Sequence, residues 1–177
     1  CRETNTEFTE PSSGYWGTLG KPCDIPIYLS EAFHKWMAES KAITPDFFVN
    51  TGDGPAHDIW EQTKEANLYI QSLVAQHHTI AFHSTPGFVA IGNHEWYPID
   101  SATGNEKRDS YLYTATANNW KYWLPDDALK TLSRHGYYAA PASVNIKIKA
   151  TIGSALKILF KSKPIEFITG PSECFAG

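Results

Sequence analysis

Residues 48–58 read FVNTGDGPAHD, and residues 89–95 read VAIGNHE. Each is a short apolar run that stops at a glycine followed by a polar residue suited to a metal ion: Gly52 then Asp53, and Gly92 then Asn93. The unbroken apolar triplet Phe47, Phe48 and Val49 is what a strand covered on both faces requires. Between the two runs the spacing predicts a helix from about residue 56 to 76, with Ile59, Ala66, Ile70, Leu73 and Val74 on one face. Strand, helix and strand in this order predict an α/β layered domain. In such sheets ligands bind at the carboxyl ends of the strands, where both Asp53 and Asn93 fall. If the strands are neighbours, the two side chains converge on one crevice.

The flanks agree with that class. Residues 1–22 read as an irregular loop, and a helix is expected from Asp24, with Ile27, Leu29, Phe33, Trp36 and Met37 at helical spacing. Residues 110–124 and 126–134 read as helices, the second opened by Pro125 and Asp126. Residues 136–140 and the alternating residues 144–150 read as strands.

A chain of 177 residues, 42% hydrophobic and 19% charged, suits one domain with a real core. The net charge of −4 provides no basic footprint for nucleic acid and no attraction to an anionic membrane. No apolar run reaches the roughly 18 residues a transmembrane helix needs. The chain opens on Cys1 rather than Met, which reads as a fragment or a processed chain. Of the three cysteines, Cys1 and Cys23 flank a loop rich in Thr, Ser, Gly and Pro; a disulfide there would staple it, and two unpaired thiols are the alternative.

A carboxylate and an amide oxygen are hard ligands that suit a divalent cation, alone or in a pair bridged by the aspartate. Gly52 and Gly92 allow a sharp turn and leave room beside the site. His57 and His94 lie just beyond, and each can ligate metal, donate to a phosphoryl oxygen or protonate a leaving group. Asp58 would orient His57 or cap its helix, and Glu95 would act in the second shell as a partner for His94. Taken singly, Gly-Asp is often a turn with a helix cap, and Gly-Asn-His a hairpin turn. The combination strand-Gly-Asp, helix, strand-Gly-Asn-His-Glu is what makes the pattern specific. His34, His77, His78, His83 and His135 read as surface or core histidines without a function.

Those residues resemble the calcineurin-like metallophosphoesterases. The surrounding text, Cys1–Arg2, SGYWGTLGKPCDIP at 13–26, TGDGPAHDIWEQT at 51–63, AIGNHE at 90–95 and NNWKYWLPDDALKTLSRHGYYA at 118–139, resembles the acid sphingomyelinase branch of that superfamily. The likeness runs from Cys1 to about Ala140. It implies a partial layered metallophosphoesterase domain truncated at both ends, with residues 1–140 catalytic and 141–177 a divergent tail. It further implies a secreted or lysosomal hydrolase with two zinc ions that cleaves sphingomyelin, a sphingolipid at a membrane surface, into ceramide and phosphocholine. By this resemblance Asp53 bridges the two zinc ions and Asn93 ligates one. His94 stabilises the transition state or protonates the leaving oxygen, His57 is the second such histidine, and Cys1 pairs with Cys23.

The chain departs from the family pattern in two places. No Asp-x-His and no Gly-His-x-His occurs in it, so most of the family's metal ligands are missing. Residues 141–177 carry five Lys against two Glu, while residues 1–140 carry ten basic and seventeen acidic residues. The expectation is therefore a sphingomyelin phosphodiesterase-type chain that is catalytically incomplete by itself. Two other readings stand beside it: a related metallophosphoesterase acting on nucleotides or other phosphodiesters, and a non-catalytic binding fragment.

Overall fold

The two runs that opened the sequence form adjacent parallel strands, β1 (Phe48–Asn50) and β2 (Gly87–Val89), with Phe48 opposite Gly87 and Asn50 opposite Val89. The computed structural model describes residues 15–17, 23–40, 45–143, 146–151, 155–160 and 164–165. Gly87 is required by packing, because a Cβ there would strike the Phe48 ring. Ladder bonds continue past both ends of the pair, Phe48 N–H to Pro86 O at 2.9 Å and Ala90 N–H to Asn50 O at 2.8 Å.

The chain divides into two compact units. The first comprises residues 1–44 and 76–83, the second residues 45–75 and 84–177. In the first, α1 (Ile27–Glu39) follows Pro26, whose fixed φ suits a helix start. Of the apolar residues at helical spacing, Phe33 and Trp36 are about half accessible, and the buried residue of the helix is His34.

In the second unit, α2 (Lys64–Ala81, whose last residues belong to the first unit) begins later than the sequence suggested. A 3-10 turn at Ile59–Glu61 intervenes, and Thr63 caps the helix by accepting the Ala66 N–H on its hydroxyl at 3.1 Å. Ile59 is therefore not on the helix face expected of it. The next helix, α3 (Glu106–Trp120), begins before the expected residue 110, because the Asn105 side chain accepts the Lys107 and Arg108 amides at 3.0 and 3.2 Å. It packs on α4 (Asp126–His135), which ends at Gly136 with φ 71° and a bond from Gly136 N–H to Leu132 O at 2.9 Å.

A second, antiparallel sheet follows in the order β3 (Tyr138–Ser143), β4 (Ile146–Thr151), β5 (Ala155–Phe160), β6 (Pro164–Ile165). The core lies among β2, α3, α4 and β3: Phe88, Leu112, Tyr113, Trp120, Leu132 and Tyr138 are all buried. Each such side chain contributes about 1.5–3 kcal/mol relative to exposure. The Tyr138 hydroxyl accepts the Val89 N–H at 2.8 Å and donates to the Val89 carbonyl at 2.9 Å, so a side chain satisfies β2 where a strand otherwise would. The result is the mixed α/β class expected. Among the described residues, no helix is long and apolar enough to cross a membrane.

Candidate metallophosphoesterase site

Both strands end in turns that interlock. After β1, Asn50 Oδ1 accepts the Gly52 N–H at 2.8 Å, which folds the chain back sharply. Gly52 then takes φ +86° and Asp53 φ 60°, a left-handed conformation that aspartate tolerates and most residues resist. After β2, Gly92 faces this turn at close quarters. A Cβ on Gly52 would strike the Gly92 amide, and a Cβ on Gly92 would strike the Asp53 carboxylate. Both glycines are needed for the two turns to meet.

Polar groups then tie the turns together. Asp53 Oδ1 accepts the His94 N–H at 3.1 Å. Glu95, 4% exposed, accepts from three backbone amides: Asp53 at 3.0 Å, Gly54 at 2.8 Å and Gly92 at 2.7 Å. Burial pushes the Glu95 carboxyl above its usual range, opposed by these amides and reinforced by the nearby Asp53. Glu95 thus supports the site through the backbone of both turns rather than through the His94 ring.

The two histidines expected from the sequence are brought together, with ring centroids 4.4 Å apart and planes at 61°. His94 is buried, and its Nδ1 has no protein partner. Asp58 precedes the 3-10 turn and makes no cap bond with its side chain. Cys1 lies outside the described residues, so the expected Cys1–Cys23 pair does too.

Sequence reasoning missed Asn67. This buried residue of α2 donates both amide hydrogens, to His94 O at 3.2 Å and Trp96 O at 3.1 Å. It fixes the turn that carries Asn93 and His94, whose backbone also closes on itself through Asp100 N–H to Asn93 O at 3.3 Å. A lone Asn in a helical stretch gives no sign of that role. Behind the turns lies a cavity of about 30 Å³ lined by Asn50, Gly54, Gln71, Glu95, Thr116 and Trp120. Its size and the unpartnered Gln71 Nε2 suit one water molecule.

Residues 28–167 match the family model described as calcineurin-like phosphoesterase. The chain belongs to that family. It is 35% identical over 136 residues to the sphingomyelin phosphodiesterase of Homo sapiens and 33% over 136 residues to that of Bos taurus. Each alignment covers 74% of this chain and 21% of the relative, so the chain spans about a fifth of the length of these curated relatives. A cyclic GMP-AMP phosphodiesterase of Bos taurus is 32% identical over 128 residues, covering 72% of this chain and 28% of its own.

Family membership implies a divalent metal, and the donor chemistry can be tested for fit. Among the described residues no three His, Cys, Asp or Glu side chains stand together as a metal site. Asp53 and Asn93 offer hard oxygen atoms, yet one Asp53 oxygen already accepts a backbone amide. Structural and catalytic zinc ions take three or four protein ligands each. The described residues do not fit a two-ion centre.

Proposed function

We propose that this chain is part of the catalytic domain of a phosphoric diester hydrolase of the sphingomyelin phosphodiesterase type, which cleaves sphingomyelin into ceramide and phosphocholine. One observation carries the reading. Asp53 and His94, 41 residues apart, meet at the ends of two parallel strands within the segment that matches the family. In the whole protein Asp53 and Asn93 would contribute to a zinc centre completed by ligands from other segments. His94 and His57 would face the scissile phosphate, and one of them would protonate the departing alkoxide. By itself the chain is catalytically incomplete.

The same reading makes residues 1–140 the catalytic portion and 141–177 a divergent tail. It also pairs Cys1 with Cys23 and places the protein outside the cell or in lysosomes, acting on lipid at a membrane surface. A second reading, hydrolysis of nucleotide phosphodiesters, is favoured by the similarity to the cyclic GMP-AMP phosphodiesterase.

A segment exchange tests these readings. Residues 28–140 replace the matching segment of the human sphingomyelin phosphodiesterase, and hydrolysis of sphingomyelin and of a cyclic dinucleotide is measured. Sphingomyelin turnover that vanishes in His94→Ala supports the first reading. A folded chimera that cleaves only the dinucleotide replaces it with the second. Zinc content of the unfused chain is expected below one ion per chain, and two tightly held ions lost in Asp53→Ala would refute the claim of incompleteness.

A further inference from the structure

His34, His77 and His78 gather within the first unit. His34 Nε2 on α1 lies 2.8 Å from His78 Nδ1 on the last turns of α2. His34 Nδ1 lies 2.7 Å from the Ser30 carbonyl, and His77 Nδ1 lies 3.0 Å from the Ser30 hydroxyl. His34 and His77 are over nine-tenths buried. Phe33 and Phe82 stand edge-on to the His34 ring, with centroids at 5.3 and 6.4 Å, and Phe82 also meets His78 at 6.0 Å.

The hydrogen bonds fix where the protons sit. A carbonyl oxygen only accepts, so His34 carries its proton on Nδ1. In the neutral ring Nε2 is then an acceptor, and the hydrogen between the rings belongs to His78 Nδ1. A proton added to His34 Nε2 would confront the His78 Nδ1–H, donor against donor. The pair survives one added proton, either on His78 Nε2 with Nδ1–H still donating or on His34 Nε2 if His78 shifts its hydrogen to Nε2. It cannot survive two, because both facing nitrogens then carry hydrogen.

We propose that the His34–His77–His78 cluster is an acid-sensitive latch that holds α1 to the end of α2 when neutral and releases it when His34 and His78 are both protonated. The charges around it favour release. Burial and the other imidazoles lower the proton affinity of His78, to a pKa of about 4, and burial chiefly lowers that of His34. Glu31 bears on His77 from α1, but its carboxylate is held by Lys35 at 2.6 Å, which in turn bears the influence of Glu39 and Tyr15. His83 follows the end of α2.

Amide hydrogen exchange of the full chain, read by mass spectrometry and corrected for the intrinsic pH effect, tests this. Between pH 7.5 and 5.0 the protection of residues 27–39 is expected to fall at least about tenfold, while α3 and α4 keep theirs. In the His34→Gln, His78→Gln double variant the fall should vanish. Unchanged protection of α1 in the native chain overturns the proposal, as does equal loosening of α3 and α4. Should the double variant already lack α1 protection at pH 7.5, nitrogen shifts of the native imidazoles decide. The neutral Nδ1–H tautomer on both His34 and His78 at pH 7.5, giving way to the imidazolium protonated on both nitrogens in step with the loss of α1 protection, upholds the latch; the neutral tautomers persisting through that loss refute it.

Discussion

Glu95 Oε2 accepts the backbone N–H of Asp53, 42 residues earlier in the chain, at 3.0 Å, and the N–H of Gly92 at 2.7 Å. One carboxylate thereby holds both strand-end turns. Glu95→Ala would orphan three amides, Asp53, Gly54 and Gly92. Bonds to charged acceptors contribute about 1.5–3 kcal/mol each, less than additively, so a loss of about 3 kcal/mol is expected in urea unfolding. A change under about 1 kcal/mol would mean that the turns hold without it.

Asn67 should be as sensitive. Asn67→Leu keeps the volume but leaves the His94 and Trp96 carbonyls without their donor. The expected cost is about 2 kcal/mol, and the His94 ring resonances should shift in the folded variant. An unperturbed His94 spectrum would remove Asn67 from the set of residues that position it.

The Tyr138 hydroxyl is matched to Val89 in both directions. Tyr138→Phe removes one oxygen and leaves a buried N–H and a buried C=O unmet. About 2 kcal/mol of stability should be lost, with the urea slope unchanged.

Gly92→Ala would drive a methyl group into the Asp53 carboxylate and backbone. Because the obstacle is backbone, relief requires the turns to part. A loss of at least about 2 kcal/mol is expected by guanidinium denaturation, with Gly104→Ala as a control. The control position has φ +68°, a strain Gly92 does not carry, but open space, so a larger loss at Gly92 isolates the clash.

Acid should weaken the fold before the carboxylates titrate. His78 has its pKa lowered to about 4 in the folded chain, against about 6.5 when unfolded. Between these values the unfolded chain binds more protons, so stability is full above pH 6.5 and declines as pH falls toward 4. The cost should reach about 1–3 kcal/mol by pH 4.5, seen as a falling urea midpoint, and should shrink in His78→Gln. A midpoint flat from pH 7 to 4.5 would contradict the lowered proton affinity.

The sequence carried the two strands and the turns at their ends, because a buried strand needs an unbroken apolar run and a sharp turn needs glycine; their parallel pairing it left conditional. Phe48–Val49 before Gly52, and Val89–Ile91 before Gly92, say both things locally. It also displayed the start of α4 in Pro125 and Asp126, whereas Gly136, read as the first residue of a strand, closes that helix instead. It misplaced the start of α2 because an apolar Ile59 matches the helical period, while the cap that decides the boundary is the Thr63 hydroxyl. It left Asn67 and the three histidines without a role, since neither type signals its partner at short range. Only tertiary structure decides those. A buried polar group must find a mate, and the mates of Asn67 and His34 lie 27 and 44 residues away. Periodicity and turn chemistry act over a few residues and can be read along the chain. The satisfaction of buried polar groups is settled only when distant segments meet.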